Sequence, residues 1–248
     1  MSLAPFPWPR WIAHRGAGRL APENTLAAFR VGASHGYTAY ECDVKLSADD
    51  VPFLLHDATL DRTTNARGRA ADRSWSELSR LDAGSWHSRR YAGEPPASFD
   101  AISAFCRAND HALNIEIKPT PGDERRTGEV VARAAEQAWA GRPLPPLLSS
   151  FEVAALDGAR AGAPQLPRAL LIDSLVDGWF ETAQRLGCVA VVANFNCFSR
   201  AMVERLHGAG LWAAAYTVND PSPSSWLIDI GLDALITDAV DRFAPASR

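Results

Sequence analysis

Two residue pairs carry the first chemical signal: Glu41 with Asp43, and Glu116 with Lys118. On a strand, side chains two apart share one face, so each pair would converge on one side of a sheet. Two carboxylates turned into an interior lose hydration and repel each other, a cost that a cation between them relieves. Hard divalent ions such as Mg²⁺ or Ca²⁺ favour such oxygen ligands. Acids two apart also occur on solvated edge strands, and the pair alone leaves both readings open. In the company of Glu41 and Asp43, Glu116 becomes a natural third ligand for one divalent metal ion. Lys118, otherwise half of a structural ion pair, then sets a positive charge beside that metal, which suits a phosphate.

Histidines add proton chemistry. His14-Arg15-Gly16 and His56-Asp57 each end a short apolar run. Two histidines near neutral pH supply one acid and one base, in either order, while the planar fork of Arg15 can grip phosphate oxygens. His35, His87, His111 and His207 have no such company and read as surface residues. Glu23 either steadies Arg15 or is a first-turn acid favoured by a helix dipole. Trp86, Phe151 and Tyr216 are candidates for the pocket wall, although aromatics at strand ends also pack in cores.

These residues need strands to hold them. Strand-like runs fall at Trp11–His14, Tyr40–Val44, Leu113–Ile117, Pro146–Ser149, Ala169–Ile172, Val189–Ala193, Trp212–Tyr216 and Ala234–Ile236. Helical stretches are predicted at Glu23–Ser34, Gly128–Trp139, Glu152–Ala161, Trp179–Leu186, Arg200–Ala209 and Ser224–Ile230. Asn24 or Thr25 can cap the first of these. The alternation predicts an α/β fold with a parallel sheet, and eight strands suit a closed barrel, although an open doubly wound sheet would alternate in the same way. Val51–His56 reads as an antiparallel extension into a polar segment at about 57–98, long enough to be a lid or small subdomain.

Composition bounds the function. The 248 residues, 47% hydrophobic and 22% charged, suit one domain spanning 1–248. A net charge of −4 without a basic run argues against nucleic acid. Cys42, Cys106, Cys188 and Cys197 are too scattered for a zinc site or disulfide framework and read as reduced thiols. No signal-peptide pattern or membrane-length apolar run is visible, so a cytoplasmic protein without stable membrane association is expected.

His14-Arg15-Gly16, Pro22-Glu23-Asn24-Thr25, Glu41-x-Asp43, His56-Asp57, Leu60-Asp61-Arg62-Thr63-Thr64-Asn65, Glu116-x-Lys118, Ser149-Ser150-Phe151, Tyr216-Thr217-Val218-Asn219 and Thr237-Asp238 follow in order along the chain. Together they resemble the glycerophosphodiester phosphodiesterase family from about Trp11 to Asp241, and most of all its cytoplasmic bacterial members. The resemblance implies a (β/α)8 TIM barrel with a small insertion after the second strand. It implies a divalent metal on Glu41, Asp43 and Glu116, the histidine pair His14 and His56, and Arg15 and Lys118 on the phosphate. It further implies hydrolysis of small-molecule glycerophosphodiesters, such as glycerophosphocholine and glycerophosphoethanolamine, to sn-glycerol 3-phosphate and an alcohol through a cyclic phosphate. Asp50, Ala66 and Tyr216 depart from the family's usual glycine, glycine and tryptophan and bear on turn geometry and pocket shape. A lysophospholipid-cleaving relative would need an apolar entrance, which no stretch of the insert suggests. An inactive ligand-binding barrel would have lost a histidine or a metal carboxylate, and all five are present.

Overall fold

The computed structural model describes residues 3–243 and 245; residues 1–2, 244 and 246–248 of the expected 1–248 span lie outside it. In chain order the elements are β1 (Trp11–Ala13), α1 (Leu26–Ser34), β2 (Ala39–Leu46), β3 (Pro52–Leu54), α2 (Trp75–Leu78), α3 (Phe99–Ala108), β4 (Ala112–Ile117), α4 (Glu124–Ala138), β5 (Leu147–Ser150), α5 (Val153–Gly162), β6 (Arg168–Ile172), α6 (Trp179–Arg185), β7 (Ala190–Asn194), α7 (Arg200–Gly208), β8 (Trp212–Tyr216), α8 (Pro221–Asp229) and β9 (Ala234–Thr237).

The sheet runs β1-β9-β8-β7-β6-β5-β4-β2, and a β1–β2 pairing closes the ring. These eight strands are parallel, as Ile12 opposite Ile236 and Asp43 opposite Glu116 illustrate, while β3 lies antiparallel on β2. The fold is therefore the closed (β/α)8 barrel, and the open-sheet alternative is set aside by the β1–β2 closure.

Local differences have local causes. α1 begins at Leu26, not Glu23, because Thr25 caps it by accepting from the Ala28 N–H at 3.2 Å. Asn24 instead takes a positive φ of 60° and spends its side chain on Asp43. α3 was not among the predicted helices. Ser98 caps it, and Phe99, Ile102, Ser103 and Cys106 form its buried face at a helical period. α4 and α8 begin earlier than predicted, α8 with a proline in its first turn.

The barrel interior is stratified. Ile12, Ala39, Ala112, Leu147, Ala169, Ala190, Ala214 and Ala234 make a tight lower layer of mostly small side chains. Trp8 packs into it from the N-terminal ends of the strands, edge-on to Trp212 at 5.7 Å, with its indole N–H donating to the Pro145 carbonyl at 3.0 Å. One end of the barrel is thus filled with hydrocarbon, and polar chemistry is left to the other.

The segment 57–98 has its own small core of Leu60, Ala70 and Leu78 against Phe53 and Leu55. Asp82 knots it, accepting from the N–H groups of Gly84, Ser85 and Gly93 and from the Ser85 hydroxyl at 2.6–2.9 Å. Glu94 ties it to the barrel by accepting from the Ala27 N–H in the first turn of α1 at 2.9 Å. All four cysteines are free; Cys42, Cys106 and Cys188 are buried and Cys197 is half-buried. Among the described residues no helix is long and apolar enough to cross a membrane.

Candidate active site

At the C-terminal ends of the strands lies a cavity of about 230 Å³. His14, Arg15, Glu41, His56, Glu116, Lys118, Phe151 and Tyr216 all line it. Asp43 is fully buried, with one of its carboxylate oxygens among a set from Glu41, Asp43 and Glu116 lying within 4.8 Å of one another. Trp86 differs. It is 39% exposed and faces a neighbouring cleft that shares His14 and Arg15 with the cavity, so it is no wall of the cavity itself.

The carboxylate trio fits a cation. Like charges ~4.5 Å apart repel by about 4 kcal/mol even at an effective dielectric of ~20. Burial first, then the neighbouring carboxylates, push Glu41 up to about 8 and Glu116 up to about 7. Asp43 moves the other way: burial opposes ionisation, but Arg15, His56 and Lys118 together hold it below the usual range. Glu41 Oε1 and Asp43 Oδ1 are buried without any hydrogen-bond partner among the described residues, a costly state that a hard divalent ion would end.

Arg15 is placed by a strained turn. Its φ is +50° and that of Gly16 is +99°; a Cβ on Gly16 would meet Ala28 Cβ at 2.8 Å, so only glycine fits there. The turn aims the Arg15 N–H at Glu41 Oε2 (3.0 Å) and its guanidinium at Glu23 Oε1 (2.9 Å). Arg15 Nε stands 3.2 Å from Asp43 Oδ2 without hydrogen-bond alignment. Asn24 donates to Asp43 Oδ2 at 2.8 Å and accepts from the Asp43 N–H at 3.1 Å. Of the two readings of Glu23, the one in which it steadies Arg15 is the one realised.

Arg62, from the insertion, extends the network. It donates twice to Asp57 (2.7 and 3.0 Å) and twice to Glu23 (both 2.8 Å). Asp57 Oδ1 in turn meets His56 Nδ1 at 2.8 Å. One guanidinium therefore joins the histidine corner to the arginine turn. Burial, with Arg15 and Lys118, holds His56 below its ordinary value despite Asp57 and Asp43.

His14 has a different partner. Its Nδ1 meets Asp238 Oδ1 at 2.6 Å, and its Nε2 stands 3.7 Å from Glu41 Oε2. Burial would lower His14, but the hydrogen bond to Asp238 and the field of Glu41 outweigh it and raise it.

Several residues escaped sequence reasoning. Lys45, 1% exposed, continues the Glu41–Asp43 face and donates to the carbonyls of His56 (3.2 Å) and Asp57, so it holds the corner that carries His56. Burial lowers it to about 8. The two-residue period that paired Glu41 with Asp43 could have found it. His87 was read as a surface residue; it is half-buried, lines the cleft beside Trp86, and meets the Arg19 carbonyl at 3.0 Å. His111 and His207 are also half-buried, with His207 2.9 Å from Asp233, and His35 is exposed. Lys118 donates to Glu116 Oε1 at 2.8 Å and stands 5.3 Å from the centre of the Phe151 ring, which packs edge-on to Tyr216.

Residues 14–242 match the model of the glycerophosphoryl diester phosphodiesterase family. A glycerophosphodiester phosphodiesterase of Caldanaerobacter subterraneus is 31% identical, with 92% of this chain and 93% of that protein covered. A phosphodiesterase structure from Oleispira antarctica, in complex with the product sn-glycerol-3-phosphate, superposes with a TM-score of 0.89 at 34% identity, covering 95% of both chains. A glycerophosphodiester phosphodiesterase structure from Agrobacterium tumefaciens gives 0.80 at 27% identity, covering 95% of this chain and 99% of that one.

Proposed function

The chain belongs to the glycerophosphoryl diester phosphodiesterase family, and we propose that it hydrolyses small glycerophosphodiesters to sn-glycerol 3-phosphate and an alcohol with the help of one divalent cation. The observation that carries this reading is the meeting, around one cavity, of three clustered carboxylates, two of them with an unpartnered buried oxygen, two histidines and two side-chain cations. The Oleispira antarctica relative holds sn-glycerol-3-phosphate, which supports the product side of the reading.

Glu41, Asp43 and Glu116 would hold a Mg²⁺- or Ca²⁺-like ion, which when bound polarises the phosphoryl group as a Lewis acid. Arg15 and Lys118 bind the non-bridging phosphate oxygens and offset the charge that grows on them. One histidine takes the proton of the glycerol hydroxyl next to the ester. That oxygen bonds to phosphorus while the bond to the leaving alcohol breaks, and the other histidine gives the alcohol its proton. Water then opens the cyclic phosphate with the proton roles reversed. Asp238 and Asp57 hold the Nδ1 sides of His14 and His56, which leaves each Nε2 for the substrate.

A coupled assay for sn-glycerol 3-phosphate tests the reading, with glycerophosphocholine and glycerophosphoethanolamine as substrates, before and after chelation. Release that stops with chelator and returns with Mg²⁺ or Ca²⁺ is the expected result. No release from either diester in the presence of these ions would overturn it.

A further inference from the structure

A second cavity, of about 250 Å³, adjoins the catalytic one between the start of α5 and the loop joining β6 to α6. Phe151, Leu171 and Asp173 line both, so the two share one boundary and Asp173 stands on it. Their charged linings differ. The first cavity sets Arg15 and Lys118 beside Glu41 and Glu116, whereas the described residues lining the second include no lysine, arginine or histidine. They include instead two carboxylates, Asp173 and Asp177, in a wall otherwise made mostly of apolar side chains such as Val153 and Val176.

Asp173 is held still by neutral donors. Its Oδ1 accepts from the Tyr216 hydroxyl at 3.2 Å and from Asn194 Nδ2 at 3.1 Å. No cationic side chain among the described residues forms an ion pair with it. Asp173 is exposed at the mouth of this cleft, and an oriented, unpaired carboxylate beside an apolar wall attracts a weakly hydrated cation more than a neutral polyol, because the polyol would surrender hydrogen bonds to water that the apolar wall cannot replace. Trp179 also lines the cavity, but Arg205 already stands 5.6 Å from its ring centre, so the attraction rests on the carboxylates and not on that ring.

We propose that this second cavity is the leaving-alcohol subsite and that Asp173 makes it selective for alcohols bearing an ammonium group, such as choline. The proposal rests on the phosphodiesterase reading for the identity of the neighbouring phosphate site. With the phosphate against Arg15 and Lys118, the alcohol arm crosses Asp173 and its ammonium lies against the mostly apolar wall beyond, which carries Asp177. Asp173 acts on binding of the leaving group and takes no part in the bond changes at phosphorus.

Ligand-detected NMR with choline and its neutral isostere 3,3-dimethyl-1-butanol tests the subsite without any turnover. Choline should bind the intact chain at least about fivefold more tightly than the isostere, and Asp173→Asn, which keeps size and hydrogen bonding, should abolish that preference. In kinetics, the ratio of kcat/KM for glycerophosphocholine to that for glycerophosphoglycerol should fall roughly tenfold in Asp173→Asn, mainly through KM. Equal binding of choline and isostere would overturn the proposal and make the cavity a hydrocarbon site. Undetectable choline binding, or a ratio unchanged in the variant, would overturn it as well. Choline binding lost with Asp173→Asn in a chain that hydrolyses no diester would sink the phosphodiesterase reading and leave the ammonium site standing.

Discussion

Asp238 Oδ1 stands 2.6 Å from His14 Nδ1, and the same carboxylate is fixed from behind by Asn219, which donates to Oδ2 at 3.1 Å and accepts from the Asp238 N–H at 2.8 Å. A histidine held this way keeps one tautomer and one orientation, with Nε2 turned towards Glu41 and the cavity. Asp238→Asn should therefore lower kcat by ~10²-fold with little change in KM, the scale expected when an acid–base group loses its positioning. Because the hydrogen bond raises His14, the limb of the pH–rate profile belonging to His14 should move to lower pH. A variant with wild-type kcat and an unmoved profile would reduce Asp238 to a packing role.

That carboxylate shows how much of the site was legible in the sequence. The two-residue period placed Glu41 with Asp43 and Glu116 with Lys118, and the barrel keeps that parity around the ring. The inward series runs Ala39, Glu41, Asp43, Lys45 on β2 and Ala112, Asn114, Glu116 on β4 with Lys118 just past its end, then Ala169, Leu171, Asp173 and Ala234, Ile236, Asp238. Lys45, Asp173 and Asp238 were reachable by carrying one rule two residues further along each strand. Arg62 was not, because its reach from the insertion to Glu23 depends on how a segment without regular period folds back over the barrel. Trp86 misled for the same reason, since its place is set by the knot around Asp82 and not by a strand. Asp50 shows what the sequence could not weigh: it holds a φ of +62° at a turn where glycine is at ease.

The carboxylate trio should make the metal-free protein sensitive to alkali. Glu41 is pushed up to about 8 and Glu116 to about 7, well above the range for an unfolded chain. Groups raised in this way stabilise the fold fully below their unfolded values and lose that contribution as pH rises through 7 and 8. The Tm of chelated protein should fall between pH 6 and pH 9, and added Mg²⁺ or Ca²⁺ should remove the decline. Glu41→Gln and Glu116→Gln should flatten the curve without metal and abolish the metal-induced rise in Tm. Calorimetry that finds the chelated protein's Tm level across this range would count against mutual repulsion at the site.

Arg62 should behave as a coupling residue more than as a stabilising one. Its side chain is 43% exposed, so the loss of its ion pairs is heavily screened and should move stability little. Activity should suffer more, because His56-Asp57 and Glu23-Arg15 would each lose a fixed partner. Arg62→Ala should lower kcat by roughly tenfold, and Arg62→Lys should fail to restore it, since an ammonium cannot serve two carboxylates through a planar fork. A double-mutant cycle with His56→Ala should be strongly non-additive. Additive losses would mean that Arg62 does not work through the histidine.

The substrate's own hydroxyl gives the most direct test of the chemistry. If that hydroxyl is the nucleophile, a diester lacking it cannot close the cyclic phosphate, however well its phosphate sits against Arg15 and Lys118. A glycerophosphocholine analogue without the hydroxyl next to the ester should inhibit competitively and show almost no turnover. Bis(p-nitrophenyl) phosphate should also be a poor substrate despite its good leaving group. A p-nitrophenyl ester of glycerol phosphate separates the histidines, because a leaving group that needs no proton should rescue one of His14→Ala and His56→Ala by ~10²-fold and leave the other inactive. The rescued position is the acid and the other is the base. Rescue of neither would deny general-acid catalysis to the pair. Turnover of the deoxy analogue at the rate of glycerophosphocholine would transfer the nucleophile's role to water, while the carboxylates, Arg15 and Lys118 would keep theirs.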